Sequence, residues 1–260
     1  MFTSAFRMSM TASTGSSYET EASTYFAAIV TAGSSITESN KLAVDAFIKG
    51  CKSDGIWTAI KASCLLAGPD SLAGALVPLV GVAPTNNGPF VSGDYSRTTG
   101  LVGNGGGKYL NSNRNNTADP QDSRHLSVFA STITSINPSA YIGVLGGGAS
   151  ASQILRSATA STLYGRLSSG AAQLDNAHAA GFLGVNRTDS SNIRFRGNGI
   201  TGLVAAASAT PDNGNLFVFA RNSGGLSIPS NGRISFYSLG ESIDLALLDA
   251  RLTTYMAALT

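Results

Sequence analysis

His125-Leu-Ser-Val-Phe-Ala-Ser-Thr132 decides the reading of this chain. Leu126, Val128 and Ala130 recur with a period of two. A strand produces that period, because successive side chains point to opposite faces of a sheet. Leu216, Val218 and Ala220 repeat it. In Ile193-Arg-Phe-Arg196 an apolar face opposes one carrying Arg194 and Arg196. Working outward from these segments, strands are expected at 90–92, 108–110, 125–132, 141–145, 153–157 and 162–167. Others are expected at 181–186, 192–196, 203–207, 216–221 and 233–239. Gly103-Asn-Gly105, Asp212-Asn-Gly214 and Asn231-Gly232 supply turns between them. Many short strands at this spacing predict a mainly β sandwich or barrel.

Upstream of residue 85 the period becomes helical. Ala22, Tyr25, Phe26, Ile29 and Val30 form one apolar face, and Gly33 ends that helix. Thr37 or Ser39 can cap a second helix with Leu42, Ala46 and Phe47 on one side, ending at Gly50, Asp54 and Gly55. Ile56, Trp57, Ile60 and Cys64 suggest a third, short helix. Lys41, Lys49, Lys52 and Lys61 read as a solvated surface on these helices. At the other end, Asp244 can cap a helix whose Leu245, Leu248, Leu252, Tyr255 and Leu259 fall at alternating spacings of three and four. That seam is expected to dock on the sandwich or the N-terminal helices, with an intersubunit bundle as the alternative. The chain therefore divides into an arm at 1–20, a helical lead-in at 21–84, and a sandwich with its C-terminal helix at 85–260.

Composition narrows the partners. Charged residues are 12%, hydrophobic residues 43%, and the net charge is +2 over 260 residues. The chain can bury a core, yet it lacks the basic footprint of a nucleic-acid binder. The Ser/Thr-rich start has no apolar core of signal-peptide length, so it reads as a flexible or partner-bound arm. Pro78, Pro84 and Pro89 interrupt the uncharged stretch 71–93, so no membrane insertion is expected. Cys51 and Cys64 lack C-x-x-C spacing and read as two buried thiols, with a disulfide as the alternative.

Catalytic constellations are sparse. The four glutamates, Glu19, Glu21, Glu38 and Glu241, all lie outside 39–240. A two-carboxylate glycosidase on this sandwich would have to work with aspartates alone. His125 and His178 are isolated and read as structural hydrogen-bonders. Gly103-Asn-Gly-Gly-Gly-Lys108 resembles a phosphate loop but has Val102 at the leading glycine position and Tyr109 at the Ser/Thr position. It reads as a turn feeding a strand. The richest polar stretch is Asn111-Ser-Asn-Arg-Asn-Asn-Thr-Ala-Asp-Pro-Gln-Asp122, read as a loop. Its amides and carboxylates match the donor–acceptor pairs of sugar hydroxyls, with Tyr109 as a stacking face. The candidate glycan contacts are therefore Tyr109, Asn111, Asn113, Arg114, Asn115, Asp119 and Asp122. Oxygens of Asn113, Asp119 and Asp122 would also suit calcium, and a plain turn accounts for the same composition. No cofactor and no metal is expected.

Two sets of segments point to a family. Near the C-terminus stands Arg233-Ile-Ser-Phe-Tyr-Ser-Leu-Gly-Glu-Ser-Ile-Asp244, followed by the Leu-rich helix. Upstream stand Gly55-Ile-Trp-Thr-Ala-Ile-Lys-Ala62, Leu76-Val-Pro-Leu79, Phe90-Val-Ser-Gly-Asp-Tyr95, Gly100-Leu-Val-Gly-Asn104 and Lys108-Tyr-Leu-Asn-Ser-Asn113. Over residues 20–260 the chain resembles tailed-bacteriophage structural proteins that end in a laminin-G or concanavalin A-like jelly roll. The resemblance implies a concanavalin A-like (laminin-G-like) β-sandwich. It also implies a non-enzymatic virion component, either a head decoration, a fibre or a tail-associated protein, assembled in the host cytoplasm. Other virion proteins, a homo-oligomer such as a trimer, and host-surface glycan are the partners it implies. A polysaccharide-degrading enzyme using Asp94 or Asp119, or a free lectin-like adhesin, are the competing expectations. No position here matches the metal-dependent sugar site of jelly-roll lectins, so no residue is carried over.

Overall fold

The computed structural model describes residues 18–146, 150–158, 162–170 and 172–260, with no side chains described at 172–177. In chain order, α1 (Thr20–Thr31) and α2 (Glu38–Ser53) lead into β1 (Ile60–Leu65) and a short α3 (Leu72–Ala75). There follow β2 (Thr85–Asn87), β3 (Tyr95–Ser96), β4 (Gly100–Val102), β5 (Tyr109–Asn115), β6 (Arg124–Thr132) and β7 (Ser139–Val144). Next come β8 (Ser152–Arg156), β9 (Thr162–Leu167), β10 (Ala172–Ala177), β11 (Gly181–Arg187), β12 (Asn192–Gly197) and β13 (Ile200–Ala205). The chain finishes with β14 (Asn215–Val218), β15 (Arg221–Asn222), β16 (Leu226–Ser227), β17 (Arg233–Gly240) and α4 (Leu245–Ala258).

These strands make two sheets. The first runs β13-β12-β11-β6-β17-β4-β3, with β1 sharing the β17 edge with β4. The second runs β10-β9-β8-β7-β14-β5-β2, with the β15–β16 hairpin attached through β7. Pairing is antiparallel throughout except at the single β15–β7 contact. The core between the sheets includes Leu126, Val128, Ala130, Ile193, Phe195, Leu216 and Val218 from the alternating segments, but not Ala220. Leu126, Val128, Leu183, Val185, Ile193 and Phe195 face Ile154, Leu163, Leu167, Leu216 and Val218. The protein is a lectin-like β-sandwich of the expected class.

The helices add a third layer. Alternate residues of the first sheet point outward, and there Leu65, Phe182 and Phe236 meet Phe47, Ile48, Leu248, Leu252 and Tyr255. Phe47 lies between Phe236 and Tyr255, each ring centroid 5.9 Å away. Burying side chains of this size stabilises by roughly 1.5–3 kcal/mol each. The terminal seam thus docks within its own chain. Asp244 caps α4 by accepting from Ala246 N–H at 2.8 Å, and Thr37 caps α2 by accepting from Asn40 N–H at 3.3 Å.

Several expectations are corrected. The third helix is a 3-10 turn (Trp57–Ala59) running into β1. Ala62 and Cys64 enter the inter-sheet core while Leu65 faces the helices. A strand buried on both faces shows no polar alternation, so its apolar run imitates a helix. The buried face of α2 is Ala43, Val44, Phe47, Ile48 and Cys51 rather than Leu42 and Ala46, which are exposed. Val30 of α1 is exposed as well. At 90–92 there is no strand. Asp94 instead accepts from Val91 N–H at 2.7 Å and closes a 3-10 turn (Ser92–Asp94). The strand expected at 203–207 begins at Ile200, and 216–221 divides into β14 and β15 at Phe219, whose φ is 68°. Both cysteines are free and buried. Burial pushes each thiol up to about 12. The arm at 1–17 lies outside the described residues.

Candidate functional site

The stretch 111–122 is not a free loop. Its first half is the end of β5, and its side chains are largely spent on shape. Asn111 Oδ1 accepts from Asn113 N–H at 2.9 Å. Asn113, with φ of 56°, donates to Ala83 O and Thr85 Oγ1, both at 2.9 Å. Asn115 accepts from Thr117 N–H and donates to Asn213 Oδ1 at 2.8 Å. Arg114 clamps Asp119 with both arms of its guanidinium. One face of Tyr109 is covered by Phe217, with ring centroids 4.4 Å apart. Tyr109, Asn111 and Asn113 therefore share the outer face of the second sheet, while Arg114 and Asp119 pair beside them.

Beneath this turn lie two buried arginines. Arg124 donates to Ser168 Oγ and Asn116 O. Burial pushes its guanidinium down to about 10. Arg187, fully buried, donates to Leu167 O at 3.0 Å, Asp189 O at 3.0 Å and Ala206 O at 2.9 Å. It ties the end of β9 to the segment beyond β13. Asp122 lies within electrostatic reach of Arg187, and its Oδ1 is buried without a hydrogen-bond partner among the described residues. The polar composition of 111–122 thus serves an arginine-rooted corner of the fold. Among the described residues no three His, Cys, Asp or Glu side chains gather as a metal cluster.

Asp94, Asp189 and Asp212 are similarly committed. Asp94 receives Lys108 Nζ at 2.5 Å. Burial opposes ionisation there, but Lys108 and the Val91 N–H hold the carboxyl below its ordinary range. Asp189 Oδ1 accepts from Ser191 and Asn192 N–H groups, both at 2.8 Å, which keeps its carboxyl low. Asp212 accepts from Gly146 N–H and from Ser150 Oγ. In the glycine-rich turn, Asn104 Oδ1 accepts from Gly106 and Lys108 N–H groups, so those donors fold the turn. Both histidines are buried hydrogen-bonders, as their isolation predicted. His125 Nδ1 donates to Glu241 O at 2.6 Å, so Nε2 accepts from Ser238 Oγ at 2.9 Å. His178 Nε2 sits 2.5 Å from the Tyr141 hydroxyl.

A concavity absent from the sequence reading lies on the helical side. A groove of about 680 Å³ opens between the end of α2 at Asp54–Ile56, the start of α4, and the outer faces of β11, β12 and β13. Two ion pairs set its walls: Arg251 to Asp54 at 2.7 Å joins α4 to α2, and Arg196 to Asp249 at 2.7 Å joins α4 to β12. Asn186, Thr188, Arg194, Thr201 and Ser242 supply polar atoms, and Leu245 and Leu247 apolar ones. One sequence signal was the Ile193-Arg-Phe-Arg196 alternation, which puts Arg194 and Arg196 on this face. Asn186 and Thr188 belong to the formal sequon Asn186-Arg-Thr188, and the other groove residues come from separate strands and helix ends.

No protein-family model and no curated protein sequence matches the chain. Among solved structures, the fold resembles the binding domain of botulinum neurotoxin serotype D. That match has a TM-score of 0.51 at 11% identity, covering 79% of this chain and 52% of the toxin domain. Weaker likenesses include Trypanosoma rangeli sialidase (TM-score 0.48, 11% identity, 82% of this chain and 39% of the enzyme). Another is the CBM40 of Ruminococcus gnavus IT-sialidase bound to α2,3-sialyllactose (TM-score 0.37, 12% identity, 50% of this chain and 83% of that module). The chain spans about two-fifths of the sialidase's length or less. At these identities the likeness is one of fold.

Proposed function

We propose that this protein is a non-enzymatic recognition module that binds glycan and works as part of a bacteriophage particle. The observation that supports the non-enzymatic part is the commitment of four sandwich aspartates, Asp94, Asp119, Asp189 and Asp212. Acid–base cleavage of a glycosidic bond needs two carboxyl groups facing one cavity, about 5–9 Å apart, and free to exchange protons. Asp94 and Asp119 are instead ion-paired to Lys108 and Arg114, and Asp189 and Asp212 hold turns. Glycan binding is supported by the β-sandwich, a fold shared with the binding domain of botulinum neurotoxin serotype D. The particle role rests on the sequence resemblance over residues 20–260. Mass spectrometry of purified particles from infected cells tests it. The chain is expected in stoichiometric amount on the particle. Recovery solely from the lysate supernatant would leave a free lectin-like adhesin in its place.

A further inference from the structure

We infer that the groove at the start of α4 is a sugar-binding site for an uncharged, hydroxyl-rich oligosaccharide, an assignment that rests on the glycan-binding reading above. Its centre is Asn186, which is 3% exposed. The Asn186 Oδ1 accepts from Ile243 N–H at 3.1 Å, and that donor fixes which end of the amide is oxygen. Asn186 lines the groove, and its Nδ2 donates to no acceptor among the described residues. That donor is left for a ligand or water to complete.

Two hydroxyls flank it, and each is oriented. Thr188 Oγ1 accepts from Arg194 at 2.6 Å, and Thr201 Oγ1 accepts from Arg196 at 3.0 Å. A hydroxyl has one proton, so an oxygen already accepting from an arginine turns that proton elsewhere. Here both line the groove. Leu247, 37% exposed, offers an apolar surface of the kind that covers the C–H face of a sugar ring. The volume suits a few sugar units, since small-molecule sites occupy roughly 300–1,000 Å³.

The charges select against an acidic ligand. A helix start ordinarily attracts anions. Here the Asp244 carboxylate already accepts from the Ala246 and Leu247 N–H groups. Arg251 is paired with Asp54 and Arg196 with Asp249, while Arg194 donates to Thr188 Oγ1 and shares the groove lining with the Asp244 carboxylate. What remains is a neutral surface of donors and acceptors, which fits hydroxyls.

The test is a glycan array on the full chain, followed by titration calorimetry with maltohexaose, chitotetraose and tetragalacturonate at low and high salt. Two variants accompany it. Asn186→Asp keeps the acceptor for Ile243 and removes the free donor. Thr201→Trp fills the groove from an exposed strand position. Binding of a neutral oligomer that changes little with salt, and weakens at least tenfold in both variants at unchanged melting temperature, is the expected result. Should Asn186→Asp fail to fold, Thr201→Trp carries the same prediction alone. Array binding that both folded variants retain overturns the groove while leaving the glycan reading intact. Salt-sensitive binding of tetragalacturonate alone overturns the uncharged assignment. A chain that captures no glycan overturns both.

Discussion

His125 shows how a single residue can carry a pH dependence with no catalytic role. Its imidazole is enclosed by Glu241 O and Ser238 Oγ. Burial pushes its pKa down to about 4, and His178 is held at about 4 by the same cause. In the unfolded chain a histidine titrates near about 6.5. Between those values the unfolded state binds more protons, so folding stability is present above about pH 6.5 and is lost as pH falls toward 4. His125 alone should cost about 2 kcal/mol between pH 7 and pH 5, and His178 acts in the same direction. Urea unfolding at the two pH values measures this, and a flat profile would contradict the neutral assignments. Arg187 gives a second case. Replacing it with Met leaves the buried Leu167 carbonyl and the partly buried Asp189 and Ala206 carbonyls without their donor. A loss of about 3 kcal/mol or more is expected, read as a lower urea midpoint. Nothing in the sequence separates Arg187 from an exposed arginine, because its partners are backbone atoms of distant segments. His125 was legible, since an isolated histidine opening a strand has few other roles.

Elements were legible where one face was polar. Strand β12 announced itself through Arg194 and Arg196, and α4 through its leucine spacing and the Asp244 cap. Strand β1 was hidden because both of its faces are covered, one by the second sheet and one by the helices. The same burial explains the stretch 111–122. Amides that suggested ligand contact instead satisfy backbone groups at a strand end, and residues favoured for sugars are those favoured for turns. The third layer leads to a prediction at this scale. Leu252 of α4 is fully buried against α2 and the first sheet. Leu252→Ala should cost about 2–5 kcal/mol through lost burial and the cavity left behind. The control Leu247→Ala, on the exposed side, should cost far less. Equal losses would mean that α4 is not held by that seam.

Over the whole molecule, the two faces of the sandwich have different fates. The helices cover most of the outer face of the first sheet, and the groove survives where α2 ends and α4 begins. The outer face of the second sheet carries Tyr109 and Asn111, stiffened by Phe217 and local amide contacts. Among the described residues no helix is long and apolar enough to cross a membrane. Much of the low charge content is distributed as structural pairs, which leaves Asp94, Asp119, Asp189 and Asp212 occupied. The proposed function predicts recognition without cleavage. It is tested most directly by incubating the purified chain with the glycan it captures best on an array and weighing the glycan by mass spectrometry over a day. The account predicts an unchanged mass and a recoverable complex. Time-dependent cleavage that disappears in Asp94→Asn or Asp119→Asn would contradict it.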